Sequence, residues 1–375
     1  MKKRIAKNIT ALLTATALAF TLTACGSTNS AAGQETSGEE VTTNVTEKEN
    51  DTAADTVGTK ATASSVGKDV GTGVPLTSSD ITFVYGEQGY YLAPIILNQG
   101  WLEQVFGPNN IKVDFNVFNN GPEMIEAFTA GKLDFAPMGI QPGISGVAND
   151  AGVSVVAAFS DAPTAITITT LKDSGIKTVA DLKGKTVATT IGSSAYSLLV
   201  KALDDEGLSV DTDINFVNID FSAAPTVLET GEVDASVGYA SSFNQVALAD
   251  GDIFYTIKDA TGYGISANIY VARNDFAKEH PDVIENILVI EQWAIEFLRD
   301  HHDEAVKINA DYFGVDEQVV EDTLKLYTYE YIDPEILKKD LKGYADFMYD
   351  SELISRQLTA EDIADFSYFE ATGIK

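Results

Sequence analysis

Cysteine is nearly absent from this chain: one residue, Cys25, in 375. No disulfide can form within the chain, and no thiolate-rich metal site can be built. Histidine is almost as scarce. His280, His301 and His302 all lie late in the sequence, and none falls in residues 80–279. That stretch can hold neither a histidine-based triad nor a histidine metal site. Bases are outnumbered, with 25 Lys and Arg against 56 Asp and Glu, for a formal charge of −31. Such a surface repels nucleic acid and anionic lipid, so no nucleic acid partner is expected. A Gly-x-Ser-x-Gly elbow, a P-loop and a full dinucleotide fingerprint are all missing, and no cofactor is expected.

What is present begins at the first residues. Lys2, Lys3, Arg4 and Lys7 form a basic cluster ahead of an apolar run from Ala11 to Leu22. The run is too short to span a bilayer comfortably and has the size of a signal-peptide core. It ends at Leu22-Thr23-Ala24-Cys25, which resembles the bacterial lipobox. That resemblance implies a signal peptide over 1–24, lipidation of Cys25, and a location on the extracytoplasmic face of the membrane. After Cys25 the chain is rich in Ser, Thr, Gly, Ala, Glu and Asp up to residue 75, with no aromatic residue. Residues 25–75 therefore read as a lipidated cysteine followed by a disordered tether.

Order is expected from Leu76. Ile81–Tyr85 reads as a strand, and Tyr91–Phe106 as one helix with Ile95, Ile96, Leu97, Leu102 and Val105 as core contacts. A strand over Lys112–Phe118 follows. Pro122 opens a helix at its first position and Gly131 closes it. Asn119 and Asn120 read as helix caps. Strands are predicted at Leu133–Met138 and Val153–Phe159. The alternation recurs with a strand at Lys185–Thr190, a helix at Ser194–Asp205, a strand at Ile214–Ile219, a helix at Pro225–Thr230, and strands at Val233–Gly238 and Ile253–Ile257. This is α/β with largely parallel pairing. Ala165–Thr170 and Ser266–Ala272 read as two crossover strands linking two lobes. Beyond Asp275 the chain reads as helical, with Pro281 and Pro334 opening helices.

A short repeat supports two related lobes. Gly131-Lys-Leu-Asp134-Phe precedes Gly231-Glu-Val-Asp234-Ala by 100 positions, each after a helix and before a buried strand. The glycine suits a left-handed helix cap, and the aspartate is placed to tie down the helix–strand corner.

Four segments resemble one family. They are Asn120-Gly-Pro-Glu-Met-Ile-Glu-Ala-Phe-Thr-Ala-Gly-Lys-Leu-Asp-Phe135, Gly139-Ile-Gln-Pro142, Asp181-Leu-Lys-Gly-Lys-Thr-Val187 and Ala272-Arg-Asn-Asp-Phe-Ala-Lys-Glu-His-Pro281. Together with the lipobox and tether they resemble the substrate-binding lipoproteins of ABC importers, in the nitrate/sulfonate/taurine group. The resemblance implies a periplasmic-binding-protein type II fold. Lobe 1 would take 76–165, lobe 2 166–265, and 266–375 would return to lobe 1. It implies a small-molecule ligand, ABC permease subunits as partners, and no catalysis. Alkanesulfonate or taurine is the first ligand class, then nitrate or a thiamine-pyrimidine-like heterocycle. An enzyme of the thiamine-pyrimidine synthase type, which uses histidines with iron, is the alternative of another class. Two departures touch the pocket rim. Gly238-Tyr239-Ala240-Ser241 stands where relatives carry Trp-x-Pro, and Ile140 and Gln141 stand where sulfonate binders often carry an acid.

The ligand is expected in the cleft between the lobes, against strand ends and helix first turns whose free N–H groups attract oxyanions. This picture selects Gln88, Tyr90 and Tyr91 in the first loop, and Gly139, Ile140 and Gln141 after a buried strand. In lobe 2 it selects Ser193, Ser194, Ala195 and Tyr196 at a helix start, and Tyr239 at a strand end. Asn268 on the return crossover completes the set. Core packing is the competing role for the tyrosines, capping for the serines. Phe221 reads as nearer a cap than a contact. The tyrosines at 327, 329, 331, 344 and 349 read as helix packing, with ligand stacking as the lesser alternative.

Overall fold

The computed structural model describes residues 71–240 and 267–374, with the backbone of 254–256. The expected signal peptide, Cys25 and most of the tether lie outside the described residues, as does Ser241. In chain order the first half runs β1 (Thr82–Glu87), α1 (Leu92–Gln99), α2 (Trp101–Phe106), β2 (Lys112–Val117), α3 (Gly121–Thr129), β3 (Phe135–Gly139), α4 (Ile140–Ala148) and β4 (Val153–Asp161). A second set follows as β5 (Ile166–Leu171), β6 (Thr186–Thr189), α5 (Ser194–Asp205), α6 (Val210–Asp213), β7 (Asn215–Asn218), α7 (Ala224–Glu229), β8 (Ala235–Tyr239) and β9 (Phe254–Thr256). The return comprises β10 (Ala267–Arg273), α8 (Asn274–Glu279), α9 (Pro281–Asp300), α10 (His302–Phe313), α11 (Glu317–Leu324), β11 (Thr328–Tyr329), α12 (Pro334–Asp350), α13 (Ala360–Ile363) and α14 (Ser367–Thr372).

Two sheets organise these elements, in the orders β11-β4-β10-β3-β1-β2 and β7-β6-β8-β5-β9. In each, a strand pairs in parallel with two neighbours: β1 with β2 and β3, β6 with β7 and β8. In each, one strand runs antiparallel beside this core: β10 against β3 and β4, β5 against β8 and β9. These are the two crossover runs. Each joins a sheet from the other lobe, so its direction is reversed relative to the parallel strands. The fold is thus the expected two-lobed α/β arrangement.

The repeat has a shared physical cause. Gly131 and Gly231 both take positive φ, +66° and +74°, which suits glycine at a helix end. Asp134 then bonds twice to β1: its N–H donates to the Val84 carbonyl at 3.0 Å, and its Oδ2 accepts from the Val84 N–H at 2.8 Å. Asp234 repeats both bonds on Thr186, each at 2.8 Å. The aspartate side chain replaces a missing ladder partner at the strand's start. The expected corner tie is therefore a strand-to-strand clasp.

Several sequence expectations shift. The single helix over 91–106 is two, because Gly100 at φ +67° ends α1 and begins α2. Leu97 consequently faces solvent at 37% exposure rather than the core, and Val105 is only half-buried. Pro122 occupies the second position of α3, with Asn120 as N-cap accepting from the Glu123 N–H. The helical C-terminal stretch is interrupted by β11, which pairs with β4 through Thr328 and Tyr329.

Candidate functional site

A cavity of about 330 Å³ opens between elements of both sheets. The β1–α1 loop contributes Gln88, Gly89, Tyr90 and Tyr91, and the turn before α3 contributes Asn119 and Asn120. Phe221 and Tyr239 reach it from the second lobe. Its remaining wall comes from the return: Phe313 and Val315 after α10, Val319 and Thr323 on α11, and Tyr327 and Tyr329 beyond it. Among the described residues, none that lines it is charged.

The aromatic walls are braced. Tyr90 meets Phe159 edge-on at 5.3 Å between centroids, and Phe159 stacks on Tyr270 at 4.3 Å, so one wall is continuous with the lobe core. Tyr91 packs edge-on against Phe313 at 5.6 Å. Phe221 and Tyr239 meet at 5.0 Å, and Tyr327 stacks on Tyr329 at 5.6 Å. Desolvation pushes the Tyr239 phenol up to about 12, so it stays neutral at physiological pH.

Hydrogen bonds fix the polar edge. Gln88 Nε2 donates to Tyr90 Oη at 3.1 Å, Tyr90 Oη donates to Asn268 Oδ1 at 3.0 Å, and Asn268 Nδ2 donates to Ser160 Oγ at 2.8 Å. This chain links the first loop to the return crossover β10 and to β4 beside it. Beneath the loop, the buried Glu87 carboxylate accepts from the Gly89 and Tyr90 N–H groups. Burial pushes Glu87 up to about 8, against the lowering effect of those amide bonds. The loop amides are therefore already occupied by an acid of the protein itself.

The helix starts chosen from sequence occupy different ground. Gly139 and Ser194 touch: a Cβ built on Gly139 would stand 2.5 Å from Ser194 Oγ. The Gln141 N–H donates to Ser194 Oγ at 3.4 Å, and Ser197 Oγ donates to Gln141 Oε1. The first turns of α4 and α5 thus pack on each other across the lobes. Ile140, Ser193 and Ala195 are buried in this contact region, and Ser193 Oγ caps the Tyr196 N–H at 3.2 Å. A narrow void of about 10 Å³ beside Ser194 and Asn268 shares Tyr239 and Tyr327 with the aromatic chamber. Gln141 and Tyr196 line a separate cavity of about 420 Å³ with Pro122, Ile191 and Glu352.

Of the residues chosen from sequence, Gln88, Tyr90, Tyr91 and Tyr239 therefore meet in the chamber, and Ser194 and Asn268 stand at its narrow extension. Sequence reasoning gave Phe221, Asn119 and Asn120 lesser or capping roles. It missed Phe313, Val315, Val319 and Thr323, and it assigned Tyr327 and Tyr329 to packing. The cluster of tyrosines was the available signal. Only two of its members reach the chamber: Tyr331 donates to the Leu288 carbonyl at 2.7 Å, Tyr344 is buried, and Tyr349 faces solvent. Among the described residues no group of three His, Cys, Asp or Glu could hold a metal ion, and no helix is long and apolar enough to cross a membrane.

The chain was compared with known proteins. The family described as NMT1/THI5 like matches residues 90–305. A Bacillus subtilis (strain 168) protein described as aliphatic sulfonates-binding is 30% identical over 283 residues, covering 74% of this chain and 84% of its own. The fold is similar to the periplasmic aliphatic sulphonate binding protein SsuA from Escherichia coli, with a TM-score of 0.64, 25% identity, and coverage of 76% and 92%. It is also similar to the alkanesulfonate-binding protein SsuA from Xanthomonas axonopodis pv. citri bound to MOPS, with a TM-score of 0.67, 23% identity, and coverage of 76% and 99%. The chain belongs to the NMT1/THI5-like family, and its fold is that of the periplasmic binding proteins.

Proposed function

We propose that this chain is the extracytoplasmic solute-binding component of an ABC importer, capturing a small organosulfonate and releasing it to membrane permease subunits. The observation that carries this reading is a cleft cavity lined from both lobes, its described lining uncharged, in a family whose relatives are named for sulfonate binding. The chamber accepts the organic part of the ligand. The sulfonate end goes to the first turn of α5, where the Ser194 and Ala195 N–H groups lack intrahelical acceptors and that of Tyr196 is capped by Ser193. Ser194 and Asn268 stand at the narrow extension there. That extension is too small for a sulfonate while Ser194 rests on Gly139, so loading requires the lobes to part and reclose.

The site set is accordingly Gln88, Tyr90, Tyr91, Tyr239, Ser194 and Asn268, joined by Phe221, Phe313, Tyr327 and Tyr329. Gly139, Ile140, Gln141, Ser193, Ala195 and Tyr196 serve the closing contact. Cys25 carries the lipid that holds the protein at the membrane. No bond of the ligand is made or broken.

Thermal shift and calorimetry test the reading, with alkanesulfonates, taurine, nitrate and a pyrimidine as ligands. A sulfonate that binds the folded chain raises its melting temperature by mass action and is recovered unchanged. A shift with nitrate or pyrimidine alone would reassign the ligand. Conversion of any ligand to product would replace the receptor reading with an enzymatic one.

A further inference from the structure

We propose that the aromatic chamber is a cage for an organic cation, so that the ligand is a zwitterion carrying an alkylated ammonium group as well as its sulfonate. This rests on the sulfonate reading for the anionic end alone; the cage is argued from the chamber itself.

Among the described residues the chamber offers an anion the amides of Gln88, Asn119 and Asn120 and the Thr323 hydroxyl, but none of its lining residues is Lys, Arg or His. The N–H groups of Gly89 and Tyr90, the natural oxyanion donors of its first loop, are already bonded to Glu87. What the chamber presents instead is ring surface. The Tyr90 hydroxyl is committed to Asn268, and Tyr329 Oη and Gln88 Oε1 are buried without a hydrogen-bond partner. Tyr91 and Phe313 stand at 77° to each other, and Phe221 and Tyr239 at 69°, so rings of different orientation bound the space.

Aromatic faces carry negative electrostatic potential, and a cage of several rings holds an alkylated ammonium without an ion pair. A purely apolar guest would also fit such walls. The formal charge of −31 favours the cation, because it draws cations toward the cleft and opposes a free anion. The zwitterion resolves this conflict, since its cationic end offsets the repulsion felt by its sulfonate.

Calorimetry of the full chain with three probes separates the possibilities: N,N,N-trimethyl-2-aminoethanesulfonate, its uncharged-head isostere 3,3-dimethylbutane-1-sulfonate, and tetramethylammonium chloride. The expected result is at least tenfold tighter binding of the trimethylammonium sulfonate than of the isostere. Tyr239→Phe should keep that ratio, and Tyr239→Leu should reduce it severalfold. The ratio is read within one variant, so a general loss of stability does not move it. Equal binding of the two sulfonates, or tighter binding of the isostere, overturns the cage and leaves the sulfonate reading standing. Binding of tetramethylammonium with neither sulfonate supports the cage and overturns the sulfonate reading. Failure of all three overturns both.

Discussion

Ser194 of the second lobe sits directly on Gly139 of the first, in the place where any side chain at position 139 would have to go. The two lobes meet there through the first turns of α4 and α5. A β-carbon 2.5 Å from Ser194 Oγ forces one lobe to move or the serine to turn away. Gly139→Leu, too large for a turn of the serine hydroxyl to accommodate, is therefore expected to shift the population toward an open form. Small-angle scattering should show a larger radius of gyration, and ligand affinity should fall about tenfold or more, the scale of a one-to-two kcal/mol bias against closure. Unchanged scattering and affinity would show that closure does not depend on this contact.

The twin aspartates should differ in weight. Asp134 clasps β1 and also receives the Arg273 guanidinium at 2.6 Å, with its side chain 5% exposed. Asp234 clasps β6, but its carboxylate is 43% exposed and Lys185 stands at 4.0 Å. Asp134→Ala is expected to cost on the order of 2 kcal/mol, because it leaves the Val84 N–H without its partner and removes one partner of the Arg273 guanidinium, which retains Asp275 and the Leu133 carbonyl. Asp234→Ala should cost about 1 kcal/mol, the usual net worth of one hydrogen bond. Urea unfolding measures both, and the reverse ranking would refute the burial argument.

Two buried carboxyls should make stability fall as pH rises from 5 to 9. Burial raises Glu87 to about 8 and Glu291 to about 7. Glu291 accepts from Tyr85 Oη at 2.5 Å and Tyr270 Oη at 2.6 Å, which only partly offsets its desolvation. Between the ordinary carboxylate value and these raised values the folded state binds more protons than the unfolded state. Their contribution to stability is then fully present below about pH 4.5 and is lost as pH rises through 7 and 8. Glu87→Gln should flatten this slope in a melting series from pH 5 to 9. A wild-type melting point that rises across that range would contradict the assignment.

Two tyrosines of the late cluster offer a paired test. Tyr327→Ala opens the chamber wall and should weaken ligand binding about tenfold or more, while Tyr349→Ala alters a solvent-facing ring and should leave affinity unchanged. Calorimetry on the two variants reads the difference. Equal effects would place the ligand elsewhere.

Cys25→Ser should move the protein from the membrane fraction to the soluble fraction and abolish incorporation of labelled fatty acid. A serine variant that stays membrane-bound would remove lipidation as the anchor.

Much of the fold was legible because local chemistry dictates it. The helix Ser194–Asp205 is announced by its serine cap and apolar spacing, and the Gly-x-x-Asp repeat announces two equivalent clasps. The break at Gly100 was less legible, since one glycine within an apolar run is compatible with a continuous helix until its φ is known. The strand Thr328–Tyr329 is two residues long and exists only because β4 offers a free edge. In the site, Tyr90 and Tyr91 were legible from a glycine-containing loop after a strand. Phe313 and Thr323 carry no local mark of function, because their helices read as ordinary amphipathic packing.

The sequence by itself determined the charge, the scarcity of thiols and imidazoles, the alternation of strands and helices, and the doubling of the lobe. These follow from composition and from contacts among near neighbours in the chain. Only the tertiary structure decided that the α4 and α5 starts grip each other, that Glu87 occupies the first loop's amides, and that residues from 88 to 329 share one aromatic chamber. Those outcomes depend on distances between segments far apart in the chain, which no periodicity or spacing encodes.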